Sequence, residues 1–325
     1  MRNYKTLNIN AKPFIKWVGG KGQLLNQLET NLPDVLYHED FTYIEPFVGG
    51  GAMLFFMLQK FPNIKRVVIN DINPNLTNAF LVVKEQPQPL VDSLKIIEKE
   101  YFSIKTEEAR KDFYLRKRDV FNNEELDTLQ KTTLLLFLNK TCFNGLYREN
   151  SKGKFNVPFG KYSNPTICNE ELIYTDSVLL NHYNVSILCG DFEQTKTQIR
   201  NKELTFFYFD PPYRPLNATS SFNTYVKEAF DDEEQIRLAA FCKDISNKKN
   251  CLWMLSNSDC SAKNPKDLFF ESLYHPFEIS RVYASRSVNA IASKRGKLSE
   301  LLISNKPKNT QRKSSTEEIV SSYFF

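Results

Sequence analysis

Residues 42–71 restrict the fold of this chain more than any other stretch does. Thr42-Tyr43-Ile44 has the β-branched and aromatic character of a short strand, and it runs into Glu45-Pro46-Phe47-Val48-Gly49-Gly50-Gly51. Ala52 to Lys60 then reads as a helix, and Ile64 to Ile69 as a second strand ending on Asn70-Asp71. Strand, glycine loop, helix, strand and acid is how nucleotide-binding α/β domains begin. Asp71 follows Gly51 by 20 residues, the spacing of a ribose-binding acid on the second strand. The loop lacks the full G-x-G-x-x-G of dinucleotide enzymes, and alone it is as well explained by a tight turn. With Asp71 behind it, ligand binding is favoured. The chain has no G-x-x-x-x-G-K-[ST], which argues against a P-loop NTPase.

From Pro74 to about Asn139 the pattern is helical, charged and glycine-free, with breaks near Pro87-Gln88-Pro89 and Asn122-Asn123. A helical insertion is expected there. Phe143-Asn-Gly-Leu-Tyr-Arg148, a turn at Asn150-Ser-Lys-Gly153, and Phe155-Asn-Val-Pro-Phe-Gly160 read as a β-hairpin with basic residues at its tip. Strand signals resume at Val185 to Cys189, Thr205 to Phe209 and Cys251 to Ser256, with helices such as Asp232 to Ile245 between them. Leu301 to Ser304 is the last expected strand. Such alternation implies an α/β fold with a mostly parallel sheet covered on both faces. The expected division is a core over 1–73 and 169–305, an insertion over 74–168 and a polar tail over 306–325, poorly ordered or weakly docked.

Composition narrows the setting. Of 325 residues, 41% are hydrophobic, enough for a real core. Apolar runs such as Leu134 to Leu138 are far too short to cross a bilayer, and Met1 to Lys12 is polar, so a cytoplasmic chain without a membrane partner is expected. The six cysteines form no Cys-x-x-Cys pair and the three histidines are scattered, so no metal centre is expected. A net charge of +5 permits a polyanionic partner without requiring one. Its distribution is more telling. Leu138 to Tyr162 carries five basic residues against Glu149 alone, and Arg281 to Lys297 carries five and no acid. Both stretches suit a phosphate-facing surface, and both suit solvated loops equally well.

The chemistry concentrates where Phe206-Phe-Tyr-Phe209 runs into Asp210-Pro211-Pro212-Tyr213. Ligands of open parallel sheets bind at the carboxyl ends of strands, where Asp210 falls. Prolines carry no N–H and fix φ, so their carbonyls can point into a cavity. An acid and a neighbouring carbonyl can accept both hydrogens of an –NH2 group, and Tyr213 offers a flat face to a base. An exocyclic base amine is a poor nucleophile because its lone pair is conjugated into the ring. Two acceptors favour a pyramidal nitrogen and stabilise the positive charge that grows as it attacks an electrophilic methyl. Read structurally instead, Pro-Pro ends a strand and Asp210 caps a helix, and the tetrapeptide alone supports either. Trp17, Gly19, Gly20 and Lys21 look like a cofactor-edge loop in which Lys21 meets a carboxylate, or like an N-terminal segment packed by Trp17. Arg148 could read guanine in a major groove or could be an exposed hairpin arginine, the commoner case.

Taken together and in order, these stretches resemble the Dam-type adenine-N6 DNA methyltransferases of the alpha group. The likeness runs from about Lys12 to Asn305. It is carried by Phe14-Ile-Lys-Trp-Val-Gly-Gly-Lys21, Glu45-Pro-Phe-Val-Gly-Gly-Gly-Ala52, Phe143-Asn-Gly-Leu-Tyr-Arg148, Phe155-Asn-Val-Pro-Phe-Gly-Lys-Tyr162, Asp210-Pro-Pro-Tyr213 and Arg295-Gly-Lys-Leu-Ser-Glu-Leu301. The resemblance implies a Rossmann-like class I methyltransferase sheet with one antiparallel strand. It also implies that 74–168 is an inserted target-recognition domain bearing the hairpin. It implies S-adenosylmethionine as cofactor, held by Trp17, Lys21, Phe47, Gly49, Gly51, Asp71, Asp191, Phe192 and Asp210. Asp210, Pro211, Pro212 and Tyr213 become the target-adenine pocket. Lys16, Leu146, Arg148 and Pro158 match positions that read GATC, and Phe143 and Asn144 match those near the flipped base. Phe143 stands where some relatives carry tyrosine. Arg281, Lys294 and Arg295 are expected on phosphates. The implied partners are double-stranded DNA and an endonuclease of the same site that is not a stable subunit, the chain itself being a monomer or weak dimer.

Other readings account for less. A zinc base deaminase needs H-x-E and P-C-x-x-C, and neither occurs. Many restriction nucleases use an acid-x-Lys triplet, also absent. An oxidoreductase leaves Asp210-Pro-Pro-Tyr213 unexplained. The alternative with most in its favour is an amino-methyltransferase acting on RNA or protein glutamine, whose related motif has Asn where this chain has Asp210.

Overall fold

Alternation along buried strands splits the core into two layers. In the computed structural model, which describes residues 9–215, 230–284 and 298–306, the strands are β1 (Phe41–Glu45), β2 (Ile64–Asp71), β3 (Ser186–Cys189), β4 (Leu204–Phe209), β5 (Cys251–Ser258), β6 (Glu278–Ala284) and β7 (Leu298–Ser304). They form one sheet in the order β3-β2-β1-β4-β5-β7-β6. Phe206 and Tyr208 enter one hydrophobic cluster, Phe207 and Phe209 the other. Both faces of β4 are therefore dry, which is why its sequence is continuously apolar. The first five strands in this order are parallel, and β7 alone is reversed, antiparallel to both β5 and β6. The mostly parallel sheet with one antiparallel strand agrees with expectation. β6 was not expected as a strand.

Helices cover the two faces unequally. α1 (Leu25–Thr30), α2 (Ala52–Lys60), α3 (Pro74–Glu85), α4 (Pro87–Ser103), α5 (Glu107–Asn123), α6 (Thr128–Thr141) and α7 (Glu170–His182) all contribute to the layer of Phe206. α8 (Asp232–Ser246), α9 (Cys260–Lys263) and α10 (Phe269–Leu273) contribute to the other. Caps define the long helices. Asn73 accepts from Asn75 N and Leu76 N with Pro74 at the first position of α3, Asp127 and Gln130 form a capping box on α6, and Asp231 accepts from Glu233 N and Glu234 N on α8. Each such cap contributes about 1 kcal/mol. Among the described residues no helix is long and apolar enough to cross a membrane.

The segment after α6 folds back as expected, but not as a regular hairpin. It keeps only isolated bridges, Cys142 with Phe159 and Glu149 with Phe155. Arg148 and Asn150 bond the returning arm at Asn156 and Lys154, and side chains of α5 satisfy main-chain groups on its other edge. Asn122 bonds both the N–H (2.8 Å) and the C=O (2.9 Å) of Phe155, while Tyr114 and Arg118 donate to the Val157 carbonyl at 2.8 and 3.0 Å.

Candidate active site

β1 and β4 lie side by side, while the chain continues from β1 to β2 on one side and from β4 to β5 on the other. A crevice forms at such a switch point, outside the carboxyl ends of the strands. Asn70, almost fully buried at the end of β2, braces its rim. Its amide donates to Pro46 O (3.0 Å) and Gly190 O (2.9 Å) and accepts from Gln194 (2.7 Å), tying together the loops after β1, β2 and β3. The glycine loop then closes on Asp71. Gly49 N–H donates to one carboxylate oxygen at 3.1 Å and Asn73 N–H to the other at 3.0 Å. Burial raises the Asp71 carboxyl above its ordinary range, against the pull of these N–H groups. Trp17 packs directly on the loop. A Cβ at Gly49 or Gly50 would come within 3.1 Å of its side chain, so the loop presents bare main chain beside Asp71.

Asp210 sits across the crevice. Its carboxylate is 2.8 Å from Lys21 Nζ, and Lys21 is buried to 4% exposure. Lys21 also donates to Gly19 O at 3.0 Å and lies 4.5 Å from the centre of the Tyr213 ring. Burial pushes the Asp210 carboxyl up to about 6, with Lys21 opposing. Residues 211–215 are not helical, so Asp210 does not cap a helix there. Of the two proline carbonyls, that of Pro212 accepts from the buried Gln235 amide at 3.0 Å, and Gln235 in turn accepts from Asn257. Tyr213 donates to Glu300 of β7 at 2.6 Å.

Phe47 packs against Phe192, with ring centres 5.4 Å apart. Asp191 is exposed and paired with Arg237 of α8 at 2.6 Å, which holds its carboxyl below the usual range, and the guanidinium lies over Phe192. Trp17 stacks on Tyr147 with centres 4.8 Å apart, so the cofactor-edge loop and the hairpin segment touch. Lys16, Phe143, Asn144, Arg148 and Pro158 are exposed, and Leu146 is half-buried. The Asn139 side chain, from α6, links Lys16 to the hairpin through bonds to Lys16 N, Lys16 O and Gly145 O, each at 3.0 Å. Arg148 is oriented by Asn156 at 2.7 Å. Arg281 departs from expectation. Its guanidinium is held by Asp259 at 2.7 Å and Glu271 at 3.3 Å, a use inside the protein that neutralises it. Lys294 and Arg295 lie outside the described residues, as does nearly all of the expected tail.

A family model described as D12 class N6 adenine-specific DNA methyltransferase matches residues 17–288, which include Trp17, Lys21, Asp71, Asp210 and Tyr213. The chain belongs to that family. A methyltransferase acting on adenine in DNA is accordingly what this enzyme is, and the reading as an RNA or protein glutamine methyltransferase is not favoured. Among its relatives, the Type II methyltransferase M.MjaIII of Methanocaldococcus jannaschii is 46% identical over 301 residues, spanning 91% of this chain and all of that protein. The DNA adenine methylase of Haemophilus influenzae is 32% identical over 294 residues, 90% of this chain and 93% of its own. That of Escherichia coli is 30% identical over 296 residues, 91% and 96%.

Several residues of this methyltransferase site were not singled out from sequence. Ile72, directly after Asp71, leaves 61% of its surface exposed. Arg237 and Tyr147 gave no signal beyond ordinary helix and hairpin positions. Glu300 lay within a matched stretch but carried no role.

Proposed function

We propose that this methyltransferase moves the methyl group of S-adenosylmethionine to N6 of adenine in duplex DNA, within GATC, with the base turned out of the stack. The observation that carries this reading is the cluster of Lys21, Asp210 and Tyr213 opening beside the glycine loop. The residues present fit that cofactor. A bare glycine main chain beside an acid suits a methionine and ribose, and the apolar Phe47, Phe192 and exposed Ile72 suit an adenine ring. Trp17, Lys21, Gly49, Gly51 and Asp71 would hold the methionine and ribose. Asp191, already engaged by Arg237, would border the adenine. When bound, the cofactor supplies an electrophilic methyl. The chain's own part is to hold the amine. Asp210, ionised at neutral pH, accepts one amine hydrogen. The Pro211 carbonyl accepts the other, since Gln235 already bonds that of Pro212. Tyr213 receives the ring.

The helical module of 74–168 is the target-recognition unit in this reading, carried by the core of 1–73 and 169–305. Arg148, Leu146, Lys16 and Pro158 read the bases, and Phe143 and Asn144 fill the space near the extruded adenine. Lys294 and Arg295 remain as phosphate contacts on sequence grounds alone, and Arg281 does not. Relatives named Type II methyltransferases support a separate endonuclease of the same site. The enzyme would act as a monomer or weak dimer on cytoplasmic DNA. The test is plasmid methylated by the protein and cut with two GATC endonucleases, one blocked by N6-methyladenine and one requiring it. Reversal of both sensitivities supports the reading. Unchanged sensitivity after proven methyl incorporation refutes GATC.

A further inference from the structure

We propose that Glu300 of β7 is a positioning residue for methyl transfer, which fixes the Tyr213 ring as the platform for the base and shares the Lys21 ammonium with Asp210. This rests on the reading of the Asp210 pocket given above.

The topology explains how Glu300 arrives there. β7 is the reversed strand, so its start lies at the carboxyl ends of the parallel strands, and Glu300 stands opposite Ser258 at the end of β5. Glu300 shares its strand face with Leu302, which belongs to the same hydrophobic layer as Tyr208. The side chain is 13% exposed and its Oε2 meets two groups, the Tyr213 hydroxyl at 2.6 Å and Lys21 Nζ at 3.8 Å. A charged acceptor on a phenol makes a strong bond and holds the ring in one orientation. Lys21 then lies over one face of that ring, which leaves the opposite face for a planar base. Two carboxylates on a single buried ammonium also couple their charges. Asp210 faces Lys21, Tyr213 and Glu300, together with Tyr208 of β4 and Glu45 and Tyr43 of β1, and Glu300 tends to raise its pKa.

Glutamine at 300 keeps an acceptor for the Tyr213 hydroxyl but removes the charge, whereas alanine removes both. The experiment is single-turnover methylation of a GATC duplex at saturating cofactor across pH 5 to 9, with cofactor and DNA binding measured separately. For Glu300→Gln the acid limb of the rate profile is expected to move to lower pH by roughly half a pH unit or more. For Glu300→Ala the plateau rate is expected to fall by roughly tenfold or more, with DNA affinity within about threefold of the parent. A double variant with Tyr213→Phe should lose less than the product of the single losses, because both remove the same bond. An unmoved limb in Glu300→Gln, or a plateau within about twofold in Glu300→Ala, overturns the proposal. Should Glu300→Ala fail to fold, the limb in Glu300→Gln decides alone. An unmodified chain that transfers no methyl to any DNA would instead overturn the pocket reading itself, so the two failures are distinguishable.

Discussion

Gly160→Ala tests whether the segment after α6 acts as a rigid reading element. At this position a Cβ would lie 2.5 Å from the Cys142 carbonyl oxygen and 2.6 Å from Cε2 of Tyr162, where ordinary contact begins at 3.4 Å. The Tyr162 ring can move, although doing so releases its bond with Asn144 N at 3.0 Å. The Cys142 carbonyl cannot move without its chain, because Cys142 ends α6 and Phe143 N–H is bonded to Pro158 O at 2.8 Å. The backbone at the base of the segment must therefore open by about 0.9 Å. Overpacking of this kind costs about 1–3 kcal/mol. If the strain is released by displacing Phe143, Asn144 and Arg148, specific DNA binding weakens roughly 5- to 150-fold. If it is retained, the same energy appears as lowered thermal stability. The assays are fluorescence anisotropy on a GATC duplex and thermal melting, with cofactor binding by calorimetry as the control, expected within about twofold of the parent because Asp71 and the glycine loop are untouched. A variant that melts, binds and methylates like the parent would refute the reasoning.

Other expectations follow from the same geometry. Methylation should decline as pH falls through about 6, because burial holds the Asp210 carboxyl there and the protonated form cannot accept the amine hydrogen; a rate flat down to pH 5 contradicts this. Arg148→Ala should cost about 1–3 kcal/mol of discrimination at one base pair while slowing chemistry little, read as the rate ratio between GATC and singly altered sites. Asp176 of α7 has one carboxylate oxygen buried without a partner among the described residues, and burial raises its carboxyl to about 8. A folded pKa above the unfolded one contributes stability at low pH that is lost as pH climbs from about 4 through about 8. Asp176→Asn should abolish that loss, so its melting temperature should gain on the parent between pH 6 and pH 9; parallel pH dependences count against it.

The half of the fold that reads directly from sequence is the half built from periodic burial. β1, α2 and β2 lie where Tyr43, the glycine loop and Ile64 to Asp71 predict, because strands dry on both faces must be continuously apolar. β6 is not legible in the sequence because among the described residues it is an edge strand paired with β7 alone, and Arg281 in its middle reads as surface charge. Only in three dimensions does Arg281 meet Asp259 and Glu271. The site divides in the same way. Asp210 and Tyr213 announce themselves through local chemistry, whereas Glu300 reaches Tyr213 from 87 residues away along the chain. Asn70 and Asn139 read as ordinary polar residues, and their roles as braces come from carbonyls that only the folded chain brings near. The expected hairpin forms no continuous ladder because its first arm advances seven residues from Cys142 to Glu149 where the second advances four from Phe155 to Phe159, and a one-turn helix at Phe143–Gly145 takes up the excess.

The central claim is that the Asp210 pocket methylates adenine at N6. Its most direct test is mass spectrometry of nucleosides from the DNA of cells expressing the chain, beside cells expressing Asp210→Ala and cells with neither. N6-methyladenine should appear with the parent chain and be absent with Asp210→Ala, although that variant still binds DNA. Parent DNA without N6-methyladenine, or equal amounts from parent and variant, would contradict the account.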